Sequence, residues 1–247
     1  MIDKVIKIAE KASIEILKIY EDNNFKITIK DDDSPVTRAD LASNKLIIEG
    51  LNQISDYPII TEETPISYEI RKNWRKFWLV DPLDGTKDFI SKNGEFTINI
   101  ALIENNKPIL GVVYIPITND VYYAKKGGGA YKNNSRIFNN SKRKDLIGSD
   151  SNFHSTEETK EFFIKHNITQ INKYGSSIKI CKLAEGLIDI YPRFNGTKEW
   201  DIAASHIIAN EANCKIIDLN TKEELVYNKR NIKNNFFIAT RNNLILY

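Results

Sequence analysis

Cysteine and histidine are scarce. Cys181 and Cys214 are the only cysteines in 247 residues, too few and too isolated for a disulfide framework or a zinc site, and they fit a reducing cytosol. The three histidines, His154, His166 and His206, fall at no metal-ligand spacing. An excess of one charge is also missing. A net charge of +2 gives no electrostatic case for broad nucleic-acid binding, although a nucleotide-sized anion needs only a local basic pocket. No apolar run approaches the roughly 20 residues of a membrane span. The N-terminus reads as a charged amphipathic helix rather than a signal peptide, and no internal repeat is visible. What remains is a hydrophobic content of 41%, enough to exclude disorder, in a chain long enough for one compact body or two intimately packed halves. The expected location is cytoplasmic. Association with the cytoplasmic face of the inner membrane is not readable from sequence.

Ile2, Val5, Ile8, Ala9, Ala12, Ile16 and Ile19 recur at helical spacing and predict a helix over 2–22. Phe25 to Lys30 alternates as a strand, a turn follows at 31–35, and a second helix runs from Ala39 to about Leu51. Strands are expected at 58–61 and 77–80, then a hairpin of 96–103 and 109–115 turning at Asn105-Asn106. Short strands at 121–124 and 130–132 join through Gly127-Gly128-Gly129, better read as a hairpin turn than a phosphate loop. Beyond about residue 145, strand-like runs (146–149, 187–191, 236–239) alternate with helical ones (157–165, 178–184, 201–212), which is α/β character. The division is therefore an α+β half over 1–145 and an α/β half over 146–247.

The most informative stretch is Trp78-Leu79-Val80-Asp81-Pro82-Leu83-Asp84-Gly85-Thr86. Apolar residues place Asp81 at a strand end, and Pro82, lacking an N–H, is expected to stop the ladder there. Gly85 lets the backbone turn tightly and approach a ligand. Carboxylates beside free backbone amides suit hard divalent cations and a phosphate. The plain alternative is an acidic turn capping a helix near Thr86. Other acids sit at comparable points: Glu62 and Glu63 after Ile59-Ile60, Asp40 after Ser34-Pro35-Val36-Thr37, and Asp201 after Glu199-Trp200. Taken alone, Asp40 and Asp201 read equally well as helix-start carboxylates.

The ordered set Lys30 to Asp40, Glu62-Glu63, Asp81 to Thr86 and Trp200-Asp201 resembles the inositol monophosphatase superfamily over essentially the whole chain. Within it the chain most resembles the CysQ-type 3'(2'),5'-bisphosphate nucleotidases, whose pattern continues here as Asp84 to Ile90, Asn93 to Thr97, Gly175-Ser176-Ser177-Ile178-Lys179 and Tyr191-Pro192-Arg193-Phe194. The resemblance implies a layered α/β/α/β/α sandwich and a Mg²⁺-dependent, lithium-sensitive phosphomonoesterase. It implies one Mg²⁺ on Glu62, Asp81 and the Leu83 carbonyl, and a second on Asp81, Asp84 and Asp201. It gives Asp40 and Thr86 the task of orienting and deprotonating the attacking water, with Glu62 beside them. It assigns the scissile phosphate to the N–H groups of Gly85 and Thr86, and a mobile loop to Lys30 and Asp32. Asp32 is a candidate contact for a third, weaker Mg²⁺, against the simpler reading of three consecutive aspartates as a solvated turn.

Substrate choice falls to the second half. Ser176, Ser177 and Lys179 put two hydroxyls and a cation at a helix start, Arg193 is a second cation suited to phosphate, and Asp201 borders the substrate. The competing readings are a solvated Lys179 and a surface-loop Arg193. The chain departs from its relatives' usual glycines at Ser205 and Asn213, and Lys198 is unusual where it stands. The expected substrate is adenosine 3',5'-bisphosphate, cleaved to AMP and phosphate in sulfur metabolism by a monomer or homodimer that binds no nucleic acid. An inositol or sugar monophosphatase is the first alternative. A non-catalytic nucleotide-sensing or RNA-associated module of the same fold is the second.

Overall fold

The computed structural model describes residues 1–22, 24–29 and 35–244. The first helix, α1 (Ile2–Asp22), buries Val5, Ile8, Ala9, Ala12, Ser13, Ile16 and Ile19 on one face, as the periodicity predicts. After β1 (Thr28–Ile29) and β2 (Pro35–Val36) comes α2 (Arg38–Asn52). The chain continues through β3 (Ile59–Thr61), α3 (Tyr68–Arg71), β4 (Lys76–Asp84), α4 (Thr86–Ile90), β5 (Thr97–Glu104), β6 (Lys107–Ile115), β7 (Asp120–Lys125), β8 (Ala130–Lys132) and β9 (Ser135–Ile137). It ends with β10 (Ile147–Ser151), α5 (Glu157–Lys165), β11 (Gln170–Tyr174), α6 (Ile178–Ala184), β12 (Ile190–Arg193), α7 (Glu199–Glu211), β13 (Cys214–Asp218) and β14 (Phe237–Arg241).

Two sheets result. The first has seven strands in the order β3-β4-β5-β6-β7-β8-β9, antiparallel except for the parallel pair β3/β4. The second has five in the order β11-β10-β12-β14-β13, with the β10 pairs parallel and the β14 pairs antiparallel. Alternating side chains send Trp78, Val80, Ile98, Ile100 and Val112 to one face of the first sheet, against α1 and α2. Phe77, Leu79, Ala101, Val113 and Tyr122 go to the other face, against Cys181 of α6 and Ala203, Ala204 and Ile207 of α7. The same two helices turn Ile180, Leu183, Ile202 and Ala209 onto Ile216, Phe237 and Ala239 of the second sheet. Phe163 of α5 covers Ile190 on that sheet's far side. The layers therefore run α/β/α/β/α, and α6 and α7 serve both sheets.

Several expectations change. The strand expected over 25–30 is, among the described residues, only Thr28–Ile29 paired with Pro35–Val36. Ile27 and Ile29 are exposed, so their alternation faces no core. The run expected over 187–191 becomes a strand only from Ile190, because Asp189 is buried in polar contacts with Ser141, Arg143 and the Ile147 N–H. The largest change is at Pro82. The ladder does not stop there: β4 pairs Asp81 with Asn99 and resumes at Asp84 with Thr97, with a bulge between. Pro82 lies in that bulge, where no ladder hydrogen bond is asked of it.

Candidate active site

The bulge in β4 is what gathers the acids. Extra residues on one strand re-aim side chains that would otherwise alternate, and Asp81 and Asp84 both come to line one cavity of about 550 Å³. The turn closes through Leu83 N–H donating to Asp81 Oδ1 at 3.1 Å and Ser43 Oγ donating to the Pro82 carbonyl at 2.7 Å. Gly85 follows with φ 90°, a left-handed conformation that glycine adopts without strain, and starts α4. Glu62, just past the end of β3, and Asp201, in the first turn of α7, reach the same point. One carboxylate oxygen each from Glu62, Asp81 and Asp201 lie within 4.8 Å of one another.

This cluster is electrostatically costly in its own right. Burial, then Glu62, Asp84 and Asp201, push the Asp81 carboxyl well above the usual carboxylate range. Burial, then Asp84 and Glu62, do the same to Asp201. Asp84 is raised to about 6 by burial, with Lys179 and the Asn99 amide opposing. Hard, crowded oxygen donors whose ionised forms repel one another are the donor set a divalent cation such as Mg²⁺ relieves, so the residues fit such an ion.

Asp40 and Thr86 meet at the edge of this cluster. Asp40 Oδ2 accepts from the Thr37 N–H at 2.7 Å and the Thr37 hydroxyl at 2.6 Å, capping α2. Its other oxygen accepts from Thr86 Oγ1 at 3.3 Å. Burial raises Asp40 to about 7, against the pull of Thr37. Asp40 is thus both the helix-start carboxylate and a partner of the site, and Asp201 has the same double character, accepting from the Lys198 N–H at 2.9 Å.

The opposite wall is cationic. Lys179 and Arg193 are 4% and 8% exposed, which excludes the solvated-helix and surface-loop readings of these two residues. Both line the cavity. The Lys179 ammonium donates to the Tyr174 carbonyl at 2.9 Å and lies over the Tyr191 ring. Burial first, then Arg193, lowers it to about 8. Arg193 Nε donates to the Asn195 carbonyl at 3.0 Å. The two walls are held face to face by Asn152, whose side-chain nitrogen donates to Asp88 Oδ1 and Glu95 Oε2 at 3.1 and 2.6 Å, while Glu95 Oε2 also accepts from the Gly175 N–H at 2.8 Å.

The profile of the Inositol monophosphatase family matches residues 1–243. This chain belongs to the inositol monophosphatase family. It is similar to the 3'(2'),5'-bisphosphate nucleotidase CysQ of Salmonella typhimurium, 42% identical over 228 residues that cover 88% of this chain and 90% of the relative. The Escherichia coli K12 enzyme of that name is 41% identical with the same coverage. Among solved structures, CysQ from Bacteroides thetaiotaomicron superposes with a TM-score of 0.87 at 38% identity, covering 98% of this chain and 97% of that one. The Thermotoga maritima IMPase gives 0.82 at 26% identity, covering 97% and 91%.

Of the residues named from sequence, Glu62, Asp81, Leu83, Asp84, Gly85, Thr86, Ser176, Ser177, Lys179, Arg193 and Asp201 all line the one cavity, and Asp40 touches it through Thr86. Lys30 and Asp32 lie outside the described residues. His154, Ser151, Tyr191 and Lys233 also line it, though the sequence gives none of them a role in the site. His154 is an exposed residue beside Arg193, Lys87 and Lys179, and partial burial of its ring first, then these cations, lowers it to about 4. A lone histidine after a phenylalanine carries no spacing signal, so nothing in the sequence marks it. The family's departures are accommodated: Ser205 is fully buried with its hydroxyl donating to the Ile202 carbonyl, and Asn213 takes a left-handed φ of 64° after α7.

Proposed function

We propose that this chain is a Mg²⁺-dependent 3'(2'),5'-bisphosphate nucleotidase that hydrolyses adenosine 3',5'-bisphosphate to AMP and phosphate. The observation that carries the reading is one cavity with a buried acid cluster on one wall and two buried cations, Lys179 and Arg193, on the other. A substrate with one phosphate to cleave and a second to grip suits both walls at once. The relatives' name, 3'(2'),5'-bisphosphate nucleotidase, agrees with this chemistry.

In this reading Glu62, Asp81 and the Leu83 carbonyl hold one ion, and Asp81, Asp84 and Asp201 a second. When bound, such ions lower the pKa of a water and neutralise charge on the leaving oxygen. The chain's own residues do the rest. Thr86 donates its hydroxyl proton to Asp40, which leaves its oxygen lone pairs to accept from the attacking water. Asp40, with its carboxyl near neutrality, is matched to take that proton at physiological pH. The Gly85 and Thr86 N–H groups hold the scissile phosphate at the start of α4. Lys179 and Arg193 hold the second phosphate by charge-assisted hydrogen bonds. Of two packed halves, 1–145 supplies most of the acidic wall, and 146–247 supplies Asp201 and the cationic wall. The enzyme works in the cytoplasm on a small molecule, as a monomer or homodimer, and is inhibited by lithium.

Phosphate release from adenosine 3',5'-bisphosphate, AMP and inositol 1-phosphate, each with Mg²⁺, with EDTA and with Mg²⁺ plus Li⁺, tests this. Strong preference for the bisphosphate, lost in EDTA and in Li⁺, is expected. Preference for inositol 1-phosphate would keep the metal chemistry and overturn the second-phosphate pocket. Silence on all three would favour a non-catalytic module.

A further inference from the structure

Asn99 is fully buried on β5, opposite Asp81 in the strand register. Its side-chain nitrogen donates to Asp84 Oδ2 at 3.2 Å and toward the Asp201 carbonyl at 3.5 Å. Its side-chain oxygen accepts from Ser177 Oγ at 2.7 Å and Thr97 Oγ1 at 3.2 Å. The amide has one sensible orientation, because a flip would aim its oxygen at the Asp84 carboxylate. One amide therefore touches three of the elements that build the site: β4 at Asp84, α7 at Asp201, and the residue that precedes α6 at Ser177.

The proton count at Ser177 is decisive. A serine hydroxyl has one hydrogen to donate, and phosphate oxygens of an ionised ester only accept. Asn99 Oδ1 is the acceptor at 2.7 Å, and the Thr97 hydroxyl, 2.9 Å away, fills a further contact. Thr97 and Ser177 are 0% and 3% exposed. The Ser177 hydrogen is spent inside the protein. Ser176 is the contrast: its Oγ is buried with no partner among the described residues, it sits at a left-handed φ of 40°, and it lines the cavity beside Gly85. The unused hydroxyl of the pair belongs to Ser176.

We propose that Thr97, Asn99 and Ser177 are positioning residues, a buried relay that fixes the Asp84 carboxylate from the segment that grips the substrate's second phosphate, and so couples metal binding to recognition of that phosphate. The inference rests on the reading of Asp84 as a metal ligand and of Ser176 to Lys179 as the second-phosphate segment. Anion binding that settles Ser177 settles Asn99, and Asn99 settles Asp84. Coupling of this kind is reciprocal: an anion on Lys179 tightens the metal, and the metal tightens the anion. It is also a selectivity device, since a substrate without the second phosphate leaves Asp84 less firmly held.

The test is Mn²⁺ binding to the metal-free full chain, with no substrate, by titration calorimetry and electron paramagnetic resonance. Wild type, Ser177→Ala and Thr97→Val are compared, each first shown to be folded by circular dichroism. Outer-shell partners of metal ligands are worth on the order of tenfold in affinity, so Ser177→Ala is expected to weaken Mn²⁺ by about that factor. Thr97→Val, isosteric and outside the cavity, shifts it in the same direction and decides the matter if Ser177→Ala does not fold. With Mg²⁺, kcat for the bisphosphate falls more than KM rises. AMP, which keeps the second phosphate, tightens Mn²⁺ binding in the wild type and loses this effect in the variants. Unchanged Mn²⁺ affinity in both variants, with KM alone raised in Ser177→Ala, would make Ser177 a simple phosphate ligand and overturn the relay. A wild type that binds no Mn²⁺ would overturn instead the assignment of Asp84 on which it rests.

Discussion

The two walls of the cavity are built on opposite principles. The acidic wall has a local nucleus: Asp81, Leu83, Asp84, Gly85 and Thr86 fall within six consecutive residues, a bulge opposite Asn99 and Thr97 turns two of their carboxylates the same way, and Glu62 and Asp201 are brought to it from elsewhere in the chain. The cationic wall is assembled: Lys179 comes from a short helix, Arg193 from the end of a strand, and Asn152 and Gly175 dock them against Asp88 and Glu95. Each wall is strained alone. The carboxyls are raised by burial and mutual repulsion, and the Lys179 ammonium is lowered by burial and Arg193. Walls of opposite charge and origin let chemistry and recognition be disturbed one at a time. In the proposed reading one wall calls for cations whatever the substrate, and the other calls for an anion that the reaction leaves intact.

The comparison breaks hardest on the acidic side. Asp84→Asn removes the charge of a proposed ligand while keeping its size, and Mg²⁺-dependent phosphate release is expected to fall by about 10³-fold, the rate equivalent of several kcal/mol of lost charge stabilisation. Retained turnover would show the metal assignment to be wrong. Next is the seam between the walls. A Cβ at Gly175 would stand 2.4 Å from the Glu95 carbonyl oxygen and 2.7 Å from Asp88 Cγ. Gly175→Ala is therefore expected to destabilise the fold by about 1–3 kcal/mol, as overpacking does, read as a lowered urea midpoint. An unchanged midpoint would mean that the seam yields freely.

The smallest effect sharpens the contrast by moving away from the cavity, along α7. His206 is buried, with Nδ1 2.8 Å from the Tyr227 hydroxyl, and burial first, then Lys107, lowers it to about 3. The unfolded chain binds this proton near pH 6.5 and the folded chain does not. Stability is therefore whole above about pH 6.5 and falls as pH drops toward 3, by at most ~1.4 kcal/mol per unit from this group. The difference in unfolding free energy between wild type and His206→Gln should change by up to about 2 kcal/mol between pH 7 and pH 5, measured in urea. A difference independent of pH would contradict the neutral assignment.

The local nucleus of the acidic wall was legible in the sequence, and what tertiary folding assembles around it only partly so. Asp81 to Thr86 announces a turn with acids whatever the fold, and helix starts at Thr37 and Thr156 follow from side chains that cap their own neighbours. Hairpin turns read well where Asn105-Asn106 take left-handed φ. The matching turn at Asn133-Asn134, and the strand Ser135–Ile137 after it, went unmarked because their side chains are exposed and carry no alternation. The edge strand Gln170–Tyr174 is mostly polar and exposed and looks like loop for the same reason. Asn99 hid for the opposite reason. It stands in an apolar run, Ile98 to Ile103, that reads as plain core, and only the meeting of β4, α6 and α7 around it gives that amide something to hold.

The most direct test of the central claim, that buried cations read a second phosphate, removes that phosphate and its cation in turn. The kcat/KM ratio of adenosine 3',5'-bisphosphate to adenosine 3'-monophosphate, which share the scissile group, is measured for wild type and Lys179→Met. A charge-assisted contact worth about 1.5–3 kcal/mol corresponds to roughly 10- to 150-fold. A strong wild-type preference for the bisphosphate is expected, and it should shrink by about that factor in Lys179→Met, with the monophosphate rate falling much less than the bisphosphate rate. An equal ratio in the two proteins would contradict it.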